Sequence, residues 1–182
     1  YKACREMEAL CRKYNYGNLD IYKVRSENIQ KNINKLMDEK SGMFWAADKD
    51  CKQIDIWGSA YAVYVGITSE EQSKKISEYL IRNADQIVMK GQIRHLPGGD
   101  ASWNNLFLSI TEGTYQNGAY WATPLAWVVP VIAQQNLPLA KKILGDVIKD
   151  FQENGINECI NTDYLNIPNY VASATNVYCL TR

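Results

Sequence analysis

One pattern constrains the fold more than any other, and it occurs twice. A segment apolar almost all round, DIWGSAYAVYVG at 55–66, is followed by a polar turn and the one-sided segment SEEQSKKISEYL. Later, ATPLAWVVPVIAQ is followed by NLPLAKKILGDVIKDF. A helix with apolar residues on every face touches protein on both sides, whereas an amphipathic one covers a core and meets water. Two such pairs in succession form a weak internal repeat of helical hairpins, with SKKISEYL and AKKILGDVI in equivalent places. They predict inner helices over 56–66 and 122–134, sheathed by outer helices over 70–84 and 138–153. Short turns join inner to outer and long loops precede the inner helices, so the loops and the leading ends of those helices gather at one mouth. The expected class is all-α: α/α hairpins with long loops at that mouth.

Local signals fill in the rest. Residues 1–14 carry Ala3, Met7, Leu10 and Cys11 at helical spacing. Ser26 is expected to cap a second helix with Ile29, Ile33, Leu36 and Met37 on one face. Ser69-Glu70-Glu71-Gln72 reads as a capping box. Ile76, Tyr79 and Leu80 then point inward, with Lys74, Lys75 and Glu78 outward. Thr123 is read as a cap, Pro124 as the first helical turn and Pro130 as a kink or early stop. Pro138 opens the next helix and Asn154-Gly155 closes it. A long irregular stretch, 85–116, contains HLPGGD, and a last small-residue segment covers 167–180.

Composition removes several function classes. Lysine plus arginine number 20 and aspartate plus glutamate number 20, a formal net charge of zero. No basic field exists to draw in nucleic acid or an anionic membrane. No apolar run approaches the roughly 20 residues of a membrane span. His95 is the only histidine, so neither a zinc site nor a serine–histidine triad has supporting spacing, and no metal or cofactor is expected. Cys4, Cys11, Cys51, Cys159 and Cys179 are odd in number without a C-x-x-C pair, and read as buried free thiols. The compartment is left open.

The segments ENIQKNINKLMDEKSGMFWAAD, QIDIWGSAYAVYVGITSEEQSKKISEYL, TYQNGAYWATPLAWVVPVIAQ, GINECIN and NYVASATNVY, in that order, resemble the six-hairpin glycosidases. The resemblance covers nearly the whole chain and implies part of an (α/α)6 toroid, its C-terminal half, present as a single domain over 1–182. It implies hydrolysis of a glycosidic bond, with inversion, by two carboxyl groups. In that family the base lies in a segment like GINECIN, which nominates Glu158. The partner acid is expected upstream, outside this chain, leaving the fragment inactive alone. The implied partners are a carbohydrate and the N-terminal half of the same protein, or an oligomeric counterpart. A toroid cut in two bares apolar helices, so poor solubility or association is expected.

Each candidate keeps a plainer reading beside the functional one. Glu158 is the base or a carboxylate capping the next element. Asp55 is a helix cap or an acceptor for sugar hydroxyls, and Trp57 is core or a sugar platform. In TYQNGAYW, Gln116 and Asn117 offer amides suited to vicinal hydroxyls, while Tyr120 and Trp121 offer flat faces suited to a pyranose. The alternative is core aromatics behind a turn. Glu112 is a mouth carboxylate or a loop charge. His95, Asp100, Trp103 and Tyr170 are candidate pocket contacts. Two competing functions remain: a non-catalytic carbohydrate-binding or structural α/α module, and a glycoside phosphorylase, for which only Arg94 and His95 suggest a phosphate site.

Overall fold

In the computed structural model, which describes residues 1–181, the chain begins with a helical hairpin, α1 (Lys2–Tyr14) and α2 (Leu19–Asn32). Asn18, not Ser26, caps α2, accepting a hydrogen bond from the Ile21 amide at 3.3 Å. Ser26 lies mid-helix, buried, where its hydroxyl donates back to the Lys23 carbonyl. On α1 the buried positions are Glu8 and Cys11, with Glu8 braced by Arg5 and Arg12. Ala3, Met7 and Leu10, expected to face a core, are exposed.

The two paired repeats fold as expected. α3 (Ile56–Tyr64) leads to α4 (Glu70–Arg82), and α6 (Leu125–Ala133) leads to α7 (Leu137–Asn154). Both halves of the capping box form: Ser69 accepts from the Gln72 amide, and Gln72 accepts from the Ser69 amide. α6 is central, touching α3 and α7 most heavily, α4 behind it and α8 (Val171–Tyr178) beyond. Ala60, Ile76, Leu80, Leu125, Val128, Ile132 and Val147 are sealed from solvent between these helices. Ser77 ties α4 to α6 by donating to the Val131 carbonyl at 3.0 Å. Pro130 sits inside α6 without ending it, because neighbours pack both sides of this short helix. Thr123 does not cap it: Pro124 occupies the cap position, and the Thr123 hydroxyl is buried without a partner.

The all-α expectation needs correction, because the chain also builds a five-stranded antiparallel sheet. After α5 (Ala84–Ile87) come β1 (Val88–Met89), β2 (Gln92–Arg94), β3 (Tyr120–Trp121), β4 (Asn157–Asn161) and β5 (Tyr164–Pro168), paired in that order. The stretch 85–116 is therefore partly ordered, with a hairpin at one end and a 3-10 turn over Ala101–Asn105. Lys90 and Gly91 turn that hairpin with φ of 50° and 75°, the two-residue geometry that matches strand twist. Gly91 also abuts α7 so closely that a Cβ there would overlap the Val147 nitrogen and the Ile143 carbonyl.

The sheet lies across the starting ends of the inner helices. β3 runs into α6 through three residues, β5 into α8 through two, and the Ile56 amide at the head of α3 donates to the His95 carbonyl just past β2. These links bring the loops, the sheet and the three helix starts to one end of the molecule.

Candidate active site

Asp55 is the N-cap of α3, its carboxylate accepting from the Gly58 amide at 2.7 Å. The same oxygen stands 3.3 Å from His95 Nε2. The plain capping role is thus real, and it fixes the carboxylate where it also holds the imidazole. His95 in turn stacks on Trp57, centroids 4.5 Å apart, and Trp57 donates its indole N–H to the Ile93 carbonyl. Trp57 meets Trp121 edge to face at 5.6 Å, and Trp121 meets Tyr115 in the same manner at 5.0 Å. An aromatic row therefore runs from the head of α3 across β3.

Glu158 closes the far end of that row. It lies within β4, only 5% exposed, where Asn166 of β5 donates to its Oε2 at 2.5 Å. The reading as a surface cap does not describe a carboxylate this deep. Around it stand Cys159, Tyr164 and Tyr115. Burial, reinforced by the negative charge of Glu158, pushes the Cys159 thiol up to about 12. The Tyr115 phenol is raised first by burial and then by Glu158, with Tyr170 also beside it. Burial likewise raises Tyr164, with Cys159 the next cause. Tyr115 holds a left-handed backbone, φ 45°, and its carbonyl accepts from both the Ala119 amide and the Trp121 indole. Such a conformation in a bulky residue persists only when its surroundings enforce it.

Of the other nominated residues, Tyr120, Asn117 and Glu112 are engaged away from this row. Tyr120 and Trp121 are successive in a strand and so leave on opposite faces. Tyr120 takes the other side, where its hydroxyl accepts from Arg94 and donates to the Gln86 carbonyl, with the guanidinium over its ring at 4.5 Å. Asn117 is 3% exposed, and its amide is engaged by two loops: Oδ1 accepts from Gly99 and Nδ2 donates to Ile110. Gln116 is half-buried, its amide without a hydrogen bond to another described residue. Glu112 lies against Gly99 and is exposed. Tyr170 precedes α8 at the Tyr115–Glu158 end.

Tyr115 and Asn166 were not singled out from the sequence. Asn166 becomes legible only once 157–161 and 164–168 are known to be paired strands, which sets it opposite Cys159. All five cysteines are free, but only Cys11 and Cys159 are buried, while Cys179 is exposed. Among the described residues no three histidine, cysteine or acidic side chains come together as a metal would require, and no helix is long and apolar enough to cross a membrane.

No family model matches the chain, and no curated protein matches it in sequence. Solved structures do match in fold. One is the crystal structure of the GH63 mannosylglycerate hydrolase from Thermus thermophilus in complex with Tris and D-glycerate. It aligns with a TM-score of 0.71 at 14% identity, over 100% of this chain and 44% of that one. The chain therefore spans less than half of that six-hairpin glycosidase, and at this identity the likeness is one of fold.

Proposed function

We propose that this chain is part of an inverting glycoside hydrolase in which Glu158 is the general base. The observation that carries this reading is the placement of Glu158: a buried carboxylate, oriented by Asn166, at one end of an aromatic row where the leading ends of the inner helices meet. The fold likeness to a glycosidase supports it. In this mechanism Glu158, ionised, takes a proton from a water whose oxygen attacks the anomeric carbon. The leaving oxygen departs from the opposite face with a proton from a second carboxyl group, and inversion sets the two groups about 6.5–9.5 Å apart. Tyr115 and Trp57 offer the apolar surface along which a sugar chain lies; Trp121, 4% exposed and packed with Ala119 and Cys159, is a core aromatic that backs them, and Asp55, His95 and Tyr170 border the surface. Asp55 is already held by Gly58 and His95, so the proton donor is assigned to a second set of helices.

That second set is the N-terminal half of a toroid, from the same polypeptide or an associated one. Trp57, Tyr61 and Tyr64 fall at i, i+4 and i+7 along one edge of α3, and Tyr61 and Tyr64 are 42% and 47% exposed. Val171 on α8 is 70% exposed. Apolar edges bared on inner helices call for a cover. A monodisperse monomer at high protein concentration refutes the need for one.

In the complete enzyme, Glu158→Gln is expected to lower turnover about 10²–10⁴-fold with folding unchanged, the range for removing a general base. Near-normal hydrolysis of glycosides by a well-folded Glu158→Gln enzyme removes Glu158 from the role. A carbohydrate-binding module without catalysis is the second reading, favoured by the prior engagement of Asp55 and Asp100, two of the other carboxylates nominated at this mouth. Saccharide binding without turnover by the complete protein decides for it. Phosphorolysis has less support, since the Arg94 guanidinium is engaged by Tyr120 and Pro97.

A further inference from the structure

A hollow of about 490 Å³ lies beside the aromatic row, between the loop that precedes α3 and the 3-10 turn at Ala101–Asn105. Its apolar wall includes Leu96, Trp103 and Leu106, and its polar lining includes Asp50, Ser102 and Asn105. We infer that this hollow is a second carbohydrate subsite, in which a pyranose ring stacks on Trp103 while its hydroxyls bond to Asp50 and Asn105. The inference rests on the carbohydrate reading above and extends it to a sugar unit remote from the cleaved bond.

The orientation of Trp103 is the first support. Its indole N–H donates to Gln53 Oε1 at 2.9 Å, and Gln53 Nε2 donates to the Gly98 carbonyl at 3.2 Å. Gln53 is 7% exposed, so a buried amide joins two loops and at the same time pins the edge of a half-buried ring. A tryptophan whose only polar atom is already bonded asks for nothing but an apolar partner on its face. The C–H face of a pyranose supplies one, and a ring fixed beforehand loses less entropy on binding.

The lining narrows the ligand. Asp50 and Asn105 have no hydrogen bond to another described residue, so a carboxylate acceptor and an amide stand ready for hydroxyl groups. Ser102 is occupied as a donor, since its hydroxyl and amide both bond to Asp100, which shapes the turn. No lysine or arginine lines the hollow and Asp50 is anionic, which disfavours phosphate or carboxylate ligands. A purely hydrocarbon group would dehydrate Asp50 without replacing its hydrogen bonds. The volume falls within the range of about 300–1,000 Å³ common to small-molecule sites. The position also suits an extended substrate: Leu96, in the wall, follows His95 directly, so the hollow adjoins the end of the aromatic row opposite Glu158.

The test uses the chain labelled with ¹⁵N, whose five tryptophans give separable indole signals, with that of Trp103 assigned by Trp103→Phe. The probes are α- and β-linked gluco- and manno-trisaccharides, with phenol as an aromatic control. Saturable displacement of the Trp103 signal by at least one trisaccharide is expected. Asp50→Asn, at an exposed position, is expected to weaken that binding about threefold or more, and Gln53→Leu about tenfold, by freeing the ring. Displacement of the Trp57 and Trp121 signals without Trp103 overturns the subsite and leaves the glycosidase reading standing. Displacement of Trp103 alone sustains the subsite whatever becomes of Glu158. Response of Trp103 to phenol but to no saccharide, or of no indole to any saccharide, overturns the inference.

Discussion

Replacing Asp150 with alanine tests how the sheet is bound to the helical layer. Asp150 sits on α7 at 4% exposure, and its Oδ2 accepts from Gln92 Nε2 of β2 at 2.9 Å. Its Oδ1 accepts from Asn154 at 2.9 Å and faces Lys90 Nζ at 3.4 Å. These partners do not contribute equally. Lys90 is half exposed and Asn154 lies at the exposed end of the helix, so water replaces Asp150 for both at little cost. Gln92 is different: it is wholly buried and its Oε1 already lacks a partner. Losing Asp150 strips its amide of the remaining bond, a charge-assisted one, at a cost of about 2–4 kcal/mol. With a urea slope of about 2 kcal/mol/M, the midpoint of unfolding falls by about 1–2 M. Asp150→Asn keeps an acceptor for Gln92 and is expected to cost about 1 kcal/mol. Urea denaturation followed by circular dichroism measures both. A loss under about 1 kcal/mol for Asp150→Ala refutes the reasoning, because it means that Gln92 is solvated after all.

Three further outcomes are expected. Gly91→Ala forces a Cβ into the Ile143 carbonyl at a φ of 75°, and is expected to cost about 2–4 kcal/mol in the same assay; an unchanged midpoint disproves the close seat of the hairpin on α7. Ser69→Ala removes one arm of the capping box and is expected to cost about 1 kcal/mol, whereas a neutral result leaves the box without energetic weight. Cys159, raised from 9.0 to about 12, resists alkylation at pH 8 while exposed Cys179 reacts. Because the folded thiol holds its proton more tightly than the unfolded one, its contribution to stability is intact below about pH 9 and is lost as pH climbs toward 12. Equal labelling of the two cysteines in the native chain contradicts the burial.

Legibility followed the length of each signal. α3 with α4 and α6 with α7 span several turns, and helical periodicity together with Ser69 and Pro138 marks them. The strands are two to five residues long, too short for alternation to register, and β4 reads Asn-Glu-Cys-Ile-Asn with no apolar rhythm at all. The Lys90-Gly91 pair was a hairpin signal in reach. Missing the strands had a direct cost at the site. Tyr120 and Trp121 looked like one platform, yet strand geometry parts them, and Asn166 had no reason to be set beside Glu158. Asp55 and Trp57 were readable because a helix start announces itself locally. Glu158 came from resemblance alone, since a single carboxylate in a short polar segment carries no pattern of its own. α2 began early because Asn18, two turns ahead of Ser26, already supplied the cap.

The alternation in β3 also limits how relatives of this protein can diverge. One residue inserted just ahead of Tyr120 would exchange the outlook of the two rings, sending the indole toward Arg94 and the phenol toward Cys159. The stretch at 101–112 feeds no strand directly and carries no such parity, so between the Trp103–Gln53 and Ile110–Asn117 hydrogen bonds it is free to lengthen or shorten. Diversification among descendants would then be written in the length of that stretch, while the spacing from Asn117 to Trp121 stays constant.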